Sequence, residues 1–391
     1  MRLPFKLTFW KVLAAVILAS GVWATWIRFA GGLGASTNLS DEFPWGLWIG
    51  FDVLCGVMLA AGGFTLTATV HIFNIERFKP IIRPTVLTAF LGYLLVTVAL
   101  LFDLGRPYRI WHPLVMWNPR SVMFEVAWCV MLYNTVLALE FAPVVFERLR
   151  MEKARRILRS ISIPIVIAGV LLSTLHQSSL GSVYLIVPAK LHPLWYSPLL
   201  PVFFFLSAIC IGLAMTIFES SMSAKHFGKQ LELRLLQDLG RVLAVVLSAY
   251  FVLRLQDLYH RGVLPMLLES GYETNLFLLE VVLGLMLPIT LLFNPRVRQS
   301  ANGLYLVSVL TVLGFVTNRL NVSITGMETA AGLRYVPKWT ELTITGSIVV
   351  AGFIVFGLAA KYLPIFENGG VPERVAPPVR PVKQRQAVSA D

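Results

Sequence analysis

The chain has 391 residues, of which 57% are apolar and only 14% are charged, and its mean hydropathy is +0.73. Soluble globular chains carry roughly 25% charged residues, so this composition excludes a soluble enzyme or binding domain. The formal net charge of +12 could suggest a nucleic-acid partner, but the basic residues gather in short connections and near the C-terminus. That distribution is typical of cytoplasmic loops in membrane proteins and argues against nucleic acid.

Ten apolar segments can each cross a hydrocarbon core of ~30 Å, which takes about 20 helical residues. The first follows the basic stretch MRLPFK and has no small-residue cleavage site, so we interpret it as a retained span. The sequence therefore predicts an all-α polytopic membrane protein. The predicted spans are Thr8–Ala30, Trp45–Phe73, Pro84–Leu104, Val122–Phe146, Ile161–Gln177, Ser197–Ser221, Leu239–Tyr259, Asn275–Phe293, Gly303–Leu320 and Thr340–Tyr362.

The distribution of charge predicts how the chain is oriented. Lys and Arg concentrate in the connections after even-numbered spans and at both termini, whereas the loop 31–44 carries Asp41 and Glu42 and no base. The positive-inside rule then places both termini in the cytoplasm, with the protein in a bacterial inner membrane.

The interior indicates two repeated halves. Similar groups recur at matching helix ends: Asp103 and Arg106 close the third span, while Arg254 and Asp257 close the seventh. Four spans separate the copies, so they share one membrane orientation, as in a parallel repeat.

The repeat and the composition of the C-terminus predict the domain organisation. We expect a membrane domain at 1–363, in which the first and last helices flank a four-helix bundle at 43–182 and a second one at 193–321. The last segment, 364–391, is rich in Pro, Val and Arg. It is predicted to be a disordered cytoplasmic tail that meets anionic lipid headgroups.

The stretch 172–195 is the candidate centre of a functional site. His176 comes at the end of an apolar helix, and a polar turn of Gln177, Ser178 and Ser179 is expected to follow. A second apolar segment then leads to the motif HPLW. An ionisable group at membrane depth is expensive and indicates function. The alternative is a helix-end histidine that reaches the interface.

The predicted topology brings most membrane-embedded charges to the outer face. Asp103, Arg106, Glu125 and His176 belong to the first bundle and could bind a polar headgroup and exchange its protons. Asp103 and Arg106 could instead form a simple i,i+3 pair. Glu125 has no opposite charge nearby in sequence, so it gains most from a functional interpretation.

Further charged residues could form a proton path with this cluster. The candidates are Glu280 and Glu140, together with Arg254 and Asp257. For Arg254 and Asp257, mutual neutralisation is the favoured interpretation. For Glu140, the favoured alternative is an interfacial residue close to headgroups.

Metal and haem sites are not indicated. The three cysteines, Cys55, Cys129 and Cys210, lie in separate apolar helices and lack the spacing of an iron–sulfur or zinc site. A b-type haem needs two axial ligands at one depth, but His71 and His176 are predicted at opposite faces. Redox centres that deliver electrons would therefore belong to a partner.

Several motifs resemble the polysulfide-reductase membrane-subunit family (NrfD/PsrC type) and, within it, the HybB-type subunits of [NiFe] hydrogenases. The resemblance covers nearly the whole chain, and HQSS followed by HPLW is its most specific part. The segment after Arg319 matches only loosely. The motifs are FPWGLWIGFD (43–52), D-x-G-R (103–106), SVMFE (121–125), LEFAPVVFERL (139–149), HQSSLGS (176–182), HPLW (192–195), LLEVVL around Glu280 and YVPKWTEL (335–342).

The resemblance implies a quinone module without haem or iron–sulfur clusters of its own, which exchanges electrons between menaquinone and a periplasmic, ferredoxin-like iron–sulfur subunit. The large and small subunits of a [NiFe] hydrogenase are the implied further partners. His176, Asp103 and Glu125 would then bind the headgroup or exchange protons, and Arg106 would orient an acid or stabilise the reduced anion. The residues implied to contact or approach the headgroup are Trp45, Gln177, Ser178 and Trp195.

Other functions fit the same features less well. Membrane-embedded acids and a parallel repeat also suit a proton, ion or solute transporter, for which Glu280 is the best support. Transporter sites usually lie near the midplane, however, whereas the predicted cluster lies at one face. Related membrane subunits of cytochrome, formate or sulfur-compound complexes are a further alternative, and a purely structural anchor ranks last. In every oxidoreductase interpretation the chain is a subunit with no activity on its own.

Overall fold

The computed structural model describes residues 8–72, 74–227 and 231–366, and these residues are largely helical. Ten helices are long and apolar enough to span a membrane, which confirms the predicted number and the all-α class. A short basic helix lies between the fourth and fifth of them. The helices are α1 (Phe9–Gly31), α2 (Trp48–His71), α3 (Lys79–Asp103), α4 (Val122–Arg148), α5 (Glu152–Ser160), α6 (Ser162–Ile186), α7 (Leu200–His226), α8 (Leu233–His260), α9 (Tyr272–Phe293), α10 (Ala301–Ala331) and α11 (Trp339–Tyr362).

The two ends of the molecule differ in charge. We call the end that carries the Lys- and Arg-rich connections after α2, α4, α7 and α9 the basic end, and the opposite one the outer end. His71 and Glu140 lie toward the basic end, because they are close to the C-terminal ends of α2 and α4. Asp103 and Glu125 lie at the outer end, where α3 finishes and α4 begins.

The polar turn predicted after His176 does not form. α6 continues through Gln177, Ser178 and Ser179 to Ile186, so His176 lies well inside the helix. The Ser179 hydroxyl donates to the carbonyl oxygen of His176 one turn earlier. Serine side chains that bond to the preceding turn remain compatible with a helix, which is why three polar residues in a row do not end this one.

Three spans contain π-helical segments, each of which widens the helix locally. They lie at Trp48–Cys55 in α2, Val282–Met286 in α9 and Asn321–Thr325 in α10. π-Helical turns inside α-helices are rare and frequently occur at functional sites. The segments in α2 and α10 contact each other, and both contribute side chains to the polar sites described below.

The helices pack into two rings of four. In the first ring α2 packs on α3, α3 on α4, α4 on α6 and α6 on α2; in the second α7 packs on α8, α8 on α9, α9 on α10 and α10 on α7. The rings meet where α7 lies against α2 and α6. The domain boundaries given above remain a prediction, but this packing is the arrangement that two four-helix bundles require.

The first and last helices pair with each other outside the rings. The Ser347 hydroxyl donates to the Ile17 carbonyl oxygen, and a Cβ at Gly21 would lie 1.8 Å from Ser347 Oγ, so a side chain at position 21 would push the pair apart. α11 also packs on α3. After α11, Ile365 is buried in a cluster with residues of α3 and α4. Most of the predicted disordered tail, residues 367–391, lies outside the described residues.

Candidate functional site

His176 lies in the interior of the first ring and is 0% exposed. Its Nδ1 is hydrogen-bonded to the hydroxyl of Tyr93 on α3 at 3.1 Å. The Tyr93 ring packs edge-on against Tyr133 of α4, with 4.6 Å between ring centroids. Ser173, one turn before His176 on α6, lies beside both phenols. Helices α3, α4 and α6 thus bring an imidazole, two phenols and a hydroxyl together in an apolar setting.

Several polar atoms of this group have no hydrogen-bond partner within the described part of the chain. They are Nε2 of His176 and the hydroxyls of Tyr133 and Ser173, and farther along α6 the same holds for Oε1 of Gln177 and the hydroxyl of Tyr184. Buried polar groups are nearly always satisfied, and an exception calls for an explanation such as a water or a catalytic role. The His176 group is therefore suited to bind or relay something that the chain itself does not supply.

Aromatic and amide side chains lie on the outer side of this group. Trp45 lies just before α2 and packs edge-on against Tyr184, with 5.7 Å between ring centroids. Gln177 donates from Nε2 to the Val57 carbonyl oxygen of α2, which fixes its amide with Oε1 still unused. Ser178 is half-buried, and its carbonyl oxygen accepts from the serine one turn later.

Two of the predicted headgroup residues lie at the surface. Glu125 is exposed in the first turn of α4, and Arg106 is exposed in the loop that follows α3. Among the described residues, no hydrogen bond or ion pair joins Asp103, Glu125 and His176 to one another. Glu125 is thus not buried with His176, because α4 begins at the outer surface with this residue turned outward.

Asp103 belongs to a second polar group, between α1, α2, α3 and α11. The buried guanidinium of Arg28 on α1 donates to the carbonyl oxygens of Phe102 (2.6 Å) and Leu104 (2.7 Å), on either side of Asp103. Asp52 of α2 is also buried here and accepts from the hydroxyl of a threonine on α11 at 2.7 Å. The positive charge near Asp103 is therefore that of Arg28, since the end of α3 packs toward α1.

A carboxylate of α11 holds the loop that carries Trp45. Glu341 is fully buried and accepts from the backbone N–H groups of Asn38 (3.1 Å) and Lys338 (2.8 Å), and from the Tyr335 hydroxyl. Tyr335 in turn accepts from the N–H of the residue directly before α2, at 3.0 Å. Burial, together with the hydrogen bond to Glu341, raises the pKa of Tyr335, so its phenol stays protonated and keeps donating.

In the second ring, Glu280 is surrounded by neutral donors. Its carboxylate accepts from Trp195 Nε1 (3.0 Å), Asn318 Nδ2 (2.7 Å) and Asn321 Nδ2 (2.8 Å). Trp195 thereby ties the HPLW loop to α9, and its ring packs edge-on against Phe277 of the same helix, with 5.9 Å between ring centroids. The backbone N–H of His192 in the same loop donates to a carbonyl oxygen of α10 (2.7 Å), and partial burial lowers the pKa of its imidazole.

Arg319 is a buried cation that is joined to Glu280 through the side chain of Asn318. Its guanidinium donates to Ser207 Oγ (2.7 Å) and to Asn318 Oδ1 (3.2 Å) and lies 3.5 Å from the centroid of the Phe204 ring. The Asn318 amide therefore bridges the two charges, because its nitrogen donates to Glu280 and its oxygen accepts from Arg319. These contacts favour a fixed structural pair of charges over a proton carrier, since both charges are already satisfied.

The expected neutralisation of Arg254 by Asp257 is wrong. Asp257 instead accepts from Arg261 (2.7 Å) and from Ser197 (2.7 Å). Arg254 donates to the Leu194 carbonyl oxygen (2.9 Å) and lies over the rings of two phenylalanines. Asp257 lies one helical turn from each arginine, and the Arg261 side chain reaches it while also bonding to the HPLW loop.

Toward the basic end, Glu140 of α4 extends the polar interior of the first ring. It is half-buried, and its Oε1 makes no hydrogen bond in the described chain; the same holds for the hydroxyl of Thr67, which lies beside it. Glu140 is on the same helix as Tyr133 and interacts with it electrostatically. Glu140, Tyr133 and His176 thus each carry an unpartnered polar atom in the first ring.

His71 and His176 cannot ligate the same haem. His71 lines a pocket at the basic end together with Ser162, at the start of α6. His176 follows roughly 20 Å farther along that helix, at 1.5 Å per residue. Two axial ligands of one iron cannot be that far apart. Within the described residues there is also no group of three or more His, Cys, Asp or Glu side chains that could hold a metal ion.

Comparisons with known proteins identify the family of this chain. The family model described as "Polysulphide reductase, NrfD" matches residues 35–331. The chain is 34% identical to the "Probable Ni/Fe-hydrogenase 2 b-type cytochrome subunit" of Escherichia coli over 344 residues, which is 86% of this chain and 87% of the relative. It is 29% identical to the "Menaquinone reductase, integral membrane subunit" of Nitratidesulfovibrio vulgaris, over 92% of both chains.

A third relative comes from an archaeon. The "Hdr-like menaquinol oxidoreductase integral membrane subunit" of Archaeoglobus fulgidus is 26% identical over 73% of this chain and 70% of its own length. The family match covers both rings, and it leaves out only the flanking helices α1 and α11 among the spans described above. The chain is thus a multi-pass membrane protein that belongs to the NrfD family.

Proposed function

We propose that this chain is the quinone-reactive membrane subunit of a respiratory oxidoreductase and that it passes electrons between an iron–sulfur partner subunit and menaquinone. The observation that carries the proposal is the buried His176, whose Nε2 is unused while its Nδ1 is bonded to Tyr93. Reduction of a quinone consumes two electrons and two protons, so its site needs groups that hold and release protons in an apolar setting. By their names, two of the relatives above are subunits of menaquinone or menaquinol oxidoreductases, which supports the same class of reaction.

In this proposal the first ring binds the quinone headgroup. His176 holds or accepts a proton at Nε2, and Tyr93 relays protons to Nδ1. Trp45 and Gln177 line the approach of the headgroup from the outer end, with Ser178 behind them. The unused Oε1 of Gln177 is a hydrogen-bond acceptor for a hydroquinone hydroxyl.

The second polar group supplies further titratable residues at the outer end. Asp103 lies there with Arg28 and Asp52 as its neighbours. Glu125 and Arg106 lie at the surface of this end, where they can exchange protons with water or contact the partner subunit.

The proton route that we propose runs through the first ring. It begins at Glu140 near the basic end, with Thr67 beside it, and continues by the unpartnered hydroxyls of Tyr133 and Ser173 to His176. Because the route leads from the basic end into the interior of the bundle, proton uptake along it would be coupled to charge movement across part of the membrane.

The second ring has a structural function in this proposal. Glu280, Arg254, Asp257 and Trp195 each have their charges or donors satisfied by fixed contacts within the described chain. A proton carrier needs a group that can gain and lose a proton without breaking such contacts, so these residues are poorly suited to that task.

The favoured partner is a periplasmic [NiFe] hydrogenase with a ferredoxin-like iron–sulfur subunit, because the Escherichia coli relative is named as a Ni/Fe-hydrogenase subunit. The corresponding orientation has both termini in the cytoplasm and the outer end in the periplasm of a bacterial inner membrane. Purification of the complex from its native membrane would test this: co-purifying nickel–iron and iron–sulfur subunits with extractable menaquinone are expected. A protein isolated alone and free of quinone would favour a transporter.

A pair of histidines provides the matched test of the site. We expect His176→Ala to lower hydrogen-dependent reduction of a water-soluble menaquinone analogue by roughly 100-fold or more, the range of a lost acid–base group, while the partner subunits still co-purify. His260→Ala, at the exposed outer end of α8, should leave the rate unchanged. Equal rates in the two variants would remove His176 from the site.

A further inference from the structure

The basic end of the first ring contains an open pocket of about 160 Å³. It is formed by α2, α3, α4, α5 and α6, so it lies where four membrane helices and the short helix α5 meet. Such a mostly apolar surface favours a hydrocarbon chain over an aqueous solute. The apolar lining includes Ile82, Leu158, Ile165 and Val166.

The polar part of the lining is predominantly basic. It consists of His71, Arg83 and Arg159, with Glu140 as its acid and a serine as its neutral member. The Arg83 guanidinium is already held by Glu147 (3.3 Å) and by a backbone carbonyl oxygen. Arg159 is exposed and makes no ion pair with any residue in the described ranges. Arg159 is thus the cation at the mouth of the pocket that is available for an anion.

The surface around the mouth has the chemistry of a membrane interface. The nine residues of α5 include one lysine and three arginines. Ile157 of the same helix is 63% exposed, and Ile161 and Ile163, which follow it, are exposed as well. Exposed isoleucines beside arginines suit a helix that lies at the boundary between headgroups and acyl chains.

We propose that this pocket binds one anionic phospholipid, with the phosphate on Arg159 and part of an acyl chain against the apolar wall. The pocket is smaller than the roughly 300–1,000 Å³ of a typical site for a small molecule, so it suits a section of a lipid whose remainder follows the exposed surface of α5. Basic pockets between membrane helices on the cytoplasmic side are suited to anionic lipid headgroups. A free phosphate ion would leave the apolar wall unused. The proposal does not rest on the quinone chemistry, although Glu140 is common to this pocket and to the proposed proton route.

The test is native mass spectrometry of the purified complex in a mild detergent. After delipidation, palmitoyl-oleoyl phosphatidylglycerol is added, and its phosphatidylcholine counterpart serves as the zwitterionic comparison. We expect one molecule of phosphatidylglycerol per chain to be retained at concentrations where phosphatidylcholine is not. Arg159→Ala should weaken this retention about fivefold, the effect of one basic residue near a lipid surface.

Two further variants distinguish lipid binding in the pocket from attraction to the general surface charge. Arg156→Ala removes a neighbouring charge of α5 that does not line the pocket, and it should leave the retained molecule in place. Ile165→Trp fills the apolar wall and should abolish retention although every charge remains. If both arginine variants lost phosphatidylglycerol to the same extent, the binding would be a diffuse attraction to surface charge and the proposal would be wrong. Equal retention of phosphatidylglycerol and phosphatidylcholine would also overturn it. Hydrogen-dependent activity plays no part in this readout, so a failure here leaves the proposed function standing.

Discussion

Among single residues, Asn318 holds together the two buried charges of the second ring. Its side-chain amide lies between them, donating to Glu280 and accepting from Arg319. Without it, each charge would lose a hydrogen bond in a region closed to water. Charged groups left partly unpaired in such a setting cost far more than the net value of the bond that held them.

Asn318→Ala should therefore destabilise the second ring strongly, by about 2–4 kcal/mol. The measurement is thermal unfolding of the detergent-purified protein, followed by tryptophan fluorescence, with a clearly lower midpoint expected for the variant. Asn275→Ala, at an exposed position of α9, is the matched control and should leave the midpoint unchanged. An unchanged midpoint in Asn318→Ala would mean that water replaces the amide and that the bridge is not structural.

Single side chains also show where the sequence is informative and where it is not. His176 could be identified because a lone histidine among apolar residues is conspicuous. Its neighbours Tyr93 and Tyr133 could not, because tyrosines in apolar helices are common and only the packing of α3, α4 and α6 joins them. The ion-pair partner of Asp257 is a similar case. Arg254 and Arg261 are each one helical turn away in sequence, and only the tertiary contacts show that the pair forms with Arg261.

Between helices, the contact of α9 with α10 depends on two glycines. A Cβ on Gly314 would lie 2.1 Å from the Cα of Gly284, and one on Gly284 would lie 2.5 Å from the Cα of Gly314. Small residues that let two backbones approach closely are common where membrane helices pack against each other. Gly284 belongs to the π-helical segment of α9, so the close approach occurs where that helix is widened.

Gly314→Ala should separate α9 from α10, because the added methyl group meets backbone that cannot move aside. We expect a lower unfolding midpoint and a smaller yield of folded protein after size-exclusion chromatography. Gly357→Ala in α11 is the control, since a Cβ there has open space around it and alanine favours the helix. Similar yields for the two variants would contradict the close packing of α9 and α10.

Helix number was predictable from sequence, but helix detail was not. Hydropathy alone gives ten spans, because each crossing needs about 20 apolar residues. The π-helical segments have the same apolar composition as their neighbours, so nothing in the pattern distinguishes Val282–Met286 from regular helix. The continuation of α6 past Ser179 was missed because a run of polar residues usually ends a span, whereas here serine bonds within the helix keep it intact.

Across the membrane domain, the two rings differ in how their polar atoms are satisfied. Almost all of the unpartnered buried side-chain atoms of the described chain belong to the first ring or to α5. The exception is Glu219 of α7, which lies beside a threonine of α3 and so faces the first ring. The two rings thus have similar helix packing, but one contains unpartnered polar atoms and the other has its charges fixed in contacts.

If the proposed function holds, this asymmetry predicts that Glu140, and not Glu280, is coupled to quinone reduction. In proteoliposomes that contain the whole complex, hydrogen-dependent quinone reduction should generate a membrane potential, read with a potential-sensitive dye. Glu140→Gln keeps the shape of the side chain but removes its exchangeable carboxyl proton, so the potential generated per quinone reduced should fall severalfold. The same change at Glu280 alters a fixed, bridged pair of charges and should lower thermal stability while the potential per turnover stays the same. If Glu280→Gln abolished the potential and Glu140→Gln did not, proton transfer would have to run through the second ring, and the first ring's unpartnered groups would need another explanation.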